Sequence, residues 1–511
     1  MTGSIQSAAT LSADLDTDCD VCVIGSGAGG ATVAAGLAER GLSVVILEEG
    51  GHRTRADFKG NEGDNVPMLY QERGARATAD LAVSILQGRT VGGGTTVNWT
   101  TCFRTPDRIF AHWADRYGMP YSAAAFEPHF AAIEERLNIA PWQEERVNEN
   151  NRVLLEGARR LGMEASILRR NVRGCADSGQ CGTGCPYDAK QSMLVTYVQD
   201  AVGAGARLFV NARAERIEVA NGRAVAVHAV AMEDHRDRAT ARRLVIRPRV
   251  VVAAGGAINS PALLLRSGLT EGPVGLRTML HPVVAITGDY PQPIEGWAGA
   301  PQSVASHAHI DRGPDRVGYF LETAPIQPML AATAMPVFGT AQRDRMRTLG
   351  HVASLIAVCA DGLTPEETGG RVSLRADGRI RVDYPIGPAL VEAWRDAHRT
   401  LARLHFAAGA TRAASMHLEP VLMNSEADLP LLDAAPYGAL RHAVFSAHQL
   451  GGCVFGRDAE TSVVDPDLRH WHVGNLFVVD GSVFPTGLGV NPSESIYAFA
   501  HRAREAIAAA V

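Results

Sequence analysis

Hydrophobic residues along the chain follow three rhythms. Unbroken apolar runs of strand length occupy residues 21–24, Val44–Leu47, 250–254 and 476–479. With no polar face, they read as strands buried on both sides of a parallel sheet. Helical spacing appears at 150–162, where Val153, Leu154, Gly157, Ala158 and Leu161 form one stripe that Gly162 ends, at 196–201, and from Pro492 to about Ala510. Residues 104–137 read as loop plus helix, sending Trp113, Phe126 and Phe130 to a core. Strands are expected at 207–211 and 213–219, and alternation of period two marks 304–309, 317–320, 352–358 and 379–384, separated by Gly, Pro and Asp. That middle third predicts an antiparallel sheet. Residues 52–71 show no period and read as loop.

The first apolar run leads into Gly25-x-Gly27-x-x-Gly30 and an Ala-rich segment to Arg40, and the second ends in Glu48. The physical roles differ glycine by glycine: Gly25 allows a tight turn, Gly27 lets backbone approach a pyrophosphate, and Gly30 lets the helix pack closely on the strand. A carboxylate at position 48 accepts hydrogen bonds from ribose hydroxyls and disfavours a 2′-phosphate. Strand, turn, helix, second strand and terminal acid together predict a site for an ADP moiety.

A second glycine-rich stretch, Gly88-Arg-Thr-Val-Gly-Gly-Gly-Thr-Thr-Val-Asn-Trp99, places free backbone amides beside Thr95, Thr96 and Asn98. A flexible loop fits it equally well. With the opening fingerprint, it resembles the glucose–methanol–choline (GMC) flavoprotein oxidoreductases. The resemblance implies FAD along both stretches, with Gly25, Gly27, Ala28, Gly30, Glu48, Arg89, Gly93, Gly94 and Asn98 as cofactor contacts. Some members hold their flavin covalently through a histidine of this loop. Val97 stands at the matching position, which implies non-covalent FAD. The strand at 250–254 runs into Gly255-Gly-Ala-Ile-Asn-Ser-Pro-Ala-Leu-Leu, which resembles the family's second motif. Locally, Ser260 reads as a helix N-cap with Pro261 in the first turn.

The last block carries the candidate chemistry. Phe445-Ser-Ala-His448-Gln-Leu-Gly-Gly, the run closing at Asp480, and Asn491-Pro492 resemble the C-terminal GMC segment, nearest the cholesterol and long-chain alcohol oxidase branch. The resemblance implies that His448 and Asn491 face the substrate side of the flavin, with Asp480 and Pro492 on the cofactor. Chemistry leads to the same roles. Oxidising an alcohol removes a hydroxyl proton as well as a hydride, and flavin accepts the hydride. Neutral imidazole suits the base, and an amide suits a group that orients the hydroxyl oxygen. Asn491 also reads as an N-cap, with Pro492 at the first helical position and Glu494 three residues on.

Three of the eight cysteines, Cys175, Cys181 and Cys185, fall in one glycine-rich segment. Glycines at 174, 179, 182 and 184 let the chain wrap, so the three thiolates are candidate ligands of an iron–sulfur cluster. The spacing resembles the cluster segment of FAD-dependent sugar dehydrogenase large subunits. A disulfide with one thiol left over, a zinc site lacking a fourth ligand, and buried free thiols fit as well.

The expected fold class is α/β: a Rossmann-like FAD-binding domain interleaved with an α+β substrate domain built on an antiparallel sheet. The expected division is a disordered tail at 1–17, FAD-binding pieces at 18–105, 190–290 and 446–511, and a substrate domain and cap at 106–189 and 291–445. A formal net charge of −6 over 511 residues gives no reason to expect nucleic acid as a partner. No run of about 18 apolar residues exists, and residues 1–18 lack a basic, then apolar, leader pattern, so a cytoplasmic protein without a membrane span is expected. The function expected is FAD-dependent oxidation of an alcohol, a small-molecule substrate, to an aldehyde or ketone by hydride transfer to the flavin with His448 as base, with electrons passing to oxygen, a quinone or a redox protein. A hydroxynitrile lyase of the same fold and a flavin-binding protein without alcohol turnover are the alternatives.

Overall fold

In the computed structural model, which describes residues 3–234 and 237–511, strand Leu15–Ile24 lies at the middle of an eight-stranded sheet. The order across it is Ser4–Ser7, Arg207–Val210, Val44–Leu47, Leu15–Ile24, Ala239–Ala253, Arg223–Met232 and Ala212–Ala220, and Leu476–Val478 also pairs with Ala239–Ala253. The first five strands run parallel, and so does Leu476–Val478 on Ala239–Ala253. Their apolar runs are buried on both faces, which is why no alternation is visible in them. Register sets where the strands end: Ile24 pairs with Leu47 and Ala253, and Ala253 with Val478. Four strands far apart in sequence therefore finish at one level, and the loops after them open on one crevice at the carboxyl edge of the sheet.

The expected tail at 1–17 is corrected by the structure; Met1 and Thr2 lie outside the described residues. Ser4–Ser7 pairs in parallel with Arg207–Val210 as the sheet's edge strand, and Leu15 already belongs to the central strand. Four residues are too few for a period to show, and an edge strand gains its order from the neighbour's backbone. The loop expected at 52–71 contains helix Glu62–Leu69, whose cap Asn61 accepts a bond from the Gly63 amide at 3.0 Å. Gly63 and Pro67 inside it hide the pattern. Residues 104–137 form two helices, Asp107–Tyr117 and Ala123–Arg136, and Trp113, Phe126 and Phe130 are buried as expected.

The second sheet has an antiparallel body ordered Gly318–Thr323, Val352–Ala360, Val283–Asp289, Arg412–Ser415 and Leu422–Met423, and Phe445–Ser446 adds to Val283–Asp289 with Ser84–Ile85 parallel beside it. Helix Pro388–Ala407 covers one face, packing Trp394, Leu401 and Leu404 among Val284, Ile286, Leu355 and Ala357. Alternate residues Val283, Ile356 and Val358 face the other way and line the crevice. The two sheets thus wall one cavity of about 660 Å³.

Candidate active site

At one end of the cavity the backbone itself makes the surface. Gly25 has φ +104°, and a Cβ there would stand 2.3 Å from the Ala254 carbonyl oxygen. Helix Ala28–Ala38 starts immediately afterwards, so its free amides point into the crevice. A Cβ at Gly30 would stand 2.0 Å from the Gly25 carbonyl oxygen, which is the close packing expected of it; Gly30 supports the turn from behind. Gly25, Gly27 and Ala28 line the cavity. Gly93, at φ +53°, abuts Gly27 so closely that a Cβ would meet the Gly27 Cα at 2.9 Å, and the two glycine turns form one continuous floor.

Glu48 is buried, and burial raises its pKa despite its partners. One carboxylate oxygen accepts from the Ser26 amide at 3.0 Å and the Ser26 hydroxyl at 2.6 Å, and the other from the Gly50 amide at 2.8 Å. It braces the first turn while also lining the cavity. Gly94 and Asn98 line the cavity too, in and after the short helix Gly94–Val97. Arg89 is placed differently: its guanidinium pairs with Asp237 and Glu49, and it is not among the lining residues.

Asp480 ties two of the converging loops together. One oxygen accepts from the Gly256 amide at 2.8 Å and the Ser260 hydroxyl at 2.5 Å, and the other from the Ser482 amide at 2.8 Å. The expected N-cap role of Ser260 is therefore corrected. Helix Asn259–Arg266 begins before it, and its hydroxyl accepts from the Gly255 amide and donates to Asp480. Asn491 is corrected likewise as a cap. Helix Ser493–Ala509 starts two residues later, with Pro492 at the cap position, and the Asn491 side chain turns into the cavity instead. A buried polar partner there outweighs capping an end that the cavity already exposes.

At the far end of the cavity four side chains meet. His448 Nε2 lies 3.3 Å from Asn491 Nδ2, and that amide nitrogen donates to Glu322 Oε2, also at 3.3 Å. Gln302 Nε2 donates to the same oxygen at 3.1 Å. Behind His448, its Nδ1 faces His281 Nδ1 at 3.3 Å, and His281 Nε2 accepts from the Leu488 amide at 3.0 Å. Burial and the neighbouring His281 push the His448 pKa well down, so the imidazole is neutral. Burial lifts Glu322 to about 8. Glu322 and His281 had no signal in the sequence: Glu322 sits inside the otherwise apolar strand Gly318–Thr323, and His281 falls in a loop. Trp99, Val283, Ile356, Val358 and Phe445 supply apolar walls beside the polar cluster.

The cysteine segment does not gather as a cluster would. Cys175, Cys181 and Cys185 are free thiols, and among the described residues no group of three or more His, Cys, Asp or Glu is placed to hold a metal ion. The iron–sulfur expectation is corrected accordingly. What organises the segment is Lys190, buried, whose ammonium donates to the carbonyls of Thr96, Asn98 and Cys181 at 2.6, 2.9 and 2.7 Å. Burial brings its pKa down to about 8. The glycines let the chain wrap around this cation, and the wrap pins the loop that floors the cavity.

Comparison with known proteins agrees with this architecture. Two family models described as GMC oxidoreductase match residues 66–283 and 365–500, and an NAD(P)-binding Rossmann-like domain model matches residues 23–67. An uncharacterized GMC-type oxidoreductase of Mycobacterium tuberculosis is 34% identical over 499 residues, 96% of this chain and 76% of its own length. A long-chain-alcohol oxidase of Arabidopsis thaliana is 31% identical over 512 residues, 94% of this chain and 66% of its own. The crystal structure of pyridoxine 4-oxidase from Mesorbium loti shares the fold, with TM-score 0.70 at 19% identity over 96% of this chain and 99% of that one. Among the described residues no helix is long and apolar enough to cross a membrane.

Proposed function

The chain belongs to the GMC oxidoreductase family, enzymes of flavin-dependent oxidation, and from that premise we propose that it oxidises an apolar alcohol to an aldehyde or ketone. One observation carries the reading: a single cavity has the nucleotide cradle at one end and the His448–Asn491 pair at the other. The residues present fit FAD bound without a covalent link. The joined glycine turns at Gly27 and Gly93 leave room for a pyrophosphate, Glu48 stands where the ribose would lie, and the first turn of helix Ser493–Ala509 borders the catalytic end. When bound, FAD supplies the two-electron sink for the hydride of the carbinol carbon.

The protein's own part is to hold the hydroxyl group and take its proton. His448, expected from the sequence to be the base, and Asn491 stand together where the hydroxyl oxygen would lie. The hydroxyl proton leaves to the cluster they form with Glu322. Trp99, Val283, Ile356, Val358 and Phe445 favour an aliphatic or aromatic substituent over a sugar. Such walls suit the kind of substrate named for the long-chain-alcohol oxidase relative.

Anaerobic mixing with 1-octanol and benzyl alcohol tests the reading. Bleaching of bound FAD is the expected result, followed by re-oxidation with air or a soluble quinone, which identifies the acceptor. His448→Ala is expected to keep FAD and slow bleaching about 10²–10⁴-fold. FAD that is bound and never bleached by any alcohol would instead point to non-redox chemistry such as a lyase.

A further inference from the structure

The hydrogen bonds around His448 determine which of its nitrogens carries the proton. The Leu488 amide donates to His281 Nε2, so in neutral His281 the hydrogen is on Nδ1. That hydrogen points at His448 Nδ1, 3.3 Å away, which must accept it. His448, neutral as well, then carries its own hydrogen on Nε2. The 3.3 Å approach of His448 Nε2 to Asn491 Nδ2 is consequently a meeting of two donors with no acceptor between them. Asn491 uses one amide hydrogen on Glu322, which leaves its second free.

We propose that His281 is a positioning residue that fixes His448 as a hydrogen-bond donor, so that His448 and Asn491 together cradle the alcohol oxygen while Glu322 is the catalytic residue that takes its proton. This rests on the alcohol-oxidising reading and sharpens it by moving the base from His448 to Glu322. A single oxygen bound between the two donors satisfies both, and negative charge developing on it strengthens both bonds. Glu322 lines the cavity and is 1% exposed, and among the described residues its Oε1 has no hydrogen-bond partner, so the carboxylate keeps an unused acceptor for the proton. The O–H bond breaks with its proton going to Glu322. Its electron pair stays on the oxygen and becomes the second carbon–oxygen bond as the hydride leaves the carbon for FAD.

The groups facing Glu322 are the neutral amides of Asn491 and Gln302 and, across Asn491, the neutral imidazole of His448; among the described residues no charged group hydrogen-bonds to it. Burial without a cation is what holds its pKa at about 8. A carboxyl group accepts a proton only when ionised, so the rate is fully developed above that value and falls about tenfold per unit below it.

The experiment uses FAD-loaded enzyme and has two arms. In the first, ¹⁵N-histidine NMR of the substrate-free holoenzyme is expected to show a protonated Nε2 and an unprotonated Nδ1 at His448, and mixed tautomers in H281L. A pyridine-type Nε2 in the wild type would overturn the proposal whether or not any alcohol is turned over. In the second, stopped-flow bleaching with 1-octanol and benzyl alcohol is followed from pH 6.5 to 9.5. The wild-type rate is expected to rise through a midpoint near pH 8 and level off above it. E322Q is expected to lose about 10²–10⁴-fold together with that pH limb. H281L is expected to lose at least roughly tenfold in rate with an unchanged apparent Kd for the alcohol, and H281N, which keeps a donor toward His448, to regain most of it. E322Q bleaching at the wild-type rate, or H281L and H281N behaving alike, would overturn it. A wild type that no alcohol bleaches refutes the functional reading instead, and leaves the tautomer measurement to decide the role of His281.

Discussion

Lowering the pH should charge a set of buried histidines, each at a cost to the fold. His405, His417, His442 and His470 are at most 4% exposed, and burial brings each down to about 4. His281 falls to about 3. A histidine that protonates less readily when folded binds more protons when unfolded, so stability is complete above the ordinary value near 6.5 and drains away as pH falls below it. For a folded value of about 4, the loss at pH 7 is only about 0.2 kcal/mol per residue, but at pH 5 it is roughly 2 kcal/mol. Five such residues acting independently would remove about 10 kcal/mol at pH 5, but Glu322, Glu367 and Glu494, raised by burial to about 8, 7 and 8, bind protons more readily when folded and offset a loss of that order, so the net loss sets in only below about pH 4.5. The densest group lies under helix Pro388–Ala407, where the rings of His398, His417 and His442 stand 5.1–5.6 Å apart centre to centre. Far-UV circular dichroism and flavin fluorescence, read from pH 8 down to pH 3, should show a transition below about pH 4.5. His442→Leu removes a ring neither of whose nitrogens has a hydrogen-bond partner among the described residues, and it should move the midpoint to lower pH with about one proton fewer in the slope. A His442→Leu midpoint equal to or above that of wild type would refute the reasoning.

Other perturbations test the scaffold. Gly29→Ala should prevent soluble folding, because its Cβ would lie 1.8 Å from the Val479 carbonyl oxygen, and expression with and without FAD checks this. Gly93→Ala should fold yet bind FAD at least about tenfold more weakly by fluorescence titration, since the shift it forces acts on the floor shared with Gly27. Lys190→Met leaves three buried carbonyls without their donor, and should cost about 3 kcal/mol or more in urea unfolding and loosen FAD. Anaerobically purified protein should be iron-free and silent in low-temperature electron paramagnetic resonance, with the triple Ser variant of Cys175, Cys181 and Cys185 still binding FAD; about three irons per chain would restore the iron–sulfur reading of that segment.

Much of the cofactor end is legible in the sequence because each of its demands is local. A tight turn needs glycine at 25, and a strand buried on both faces needs an unbroken apolar run. These leave marks within ten residues of one another, and the strand Val44–Leu47 coincides residue for residue with its apolar run. Helix Glu62–Leu69 leaves no such mark because its order comes from contacts such as the Asn65 amide on the Thr183 carbonyl, 118 positions away. Arg89 shows the opposite limit: the motif is continuous in sequence, but the guanidinium finds Glu49 and Asp237 and turns from the cavity. In the cysteine segment the most reactive residues draw the eye, whereas its fold depends on Lys190, a cation whose three partners come from two loops.

By itself the sequence determined the family, the parallel sheet, the nucleotide cradle and the presence of His448 and Asn491, since each is carried by a short run of residues whose spacing meets a backbone or chemical requirement. The tertiary structure decided what those residues meet. Strand register brings the ends of four distant strands to one level, and the antiparallel sheet sets Glu322 opposite Asn491, 169 positions later in the chain. Whether an imidazole donates or accepts depends on the partner of its other nitrogen, and for His448 that partner is His281, 167 positions away. Proton positions are set by three-dimensional contact, and no local pattern of residues encodes them.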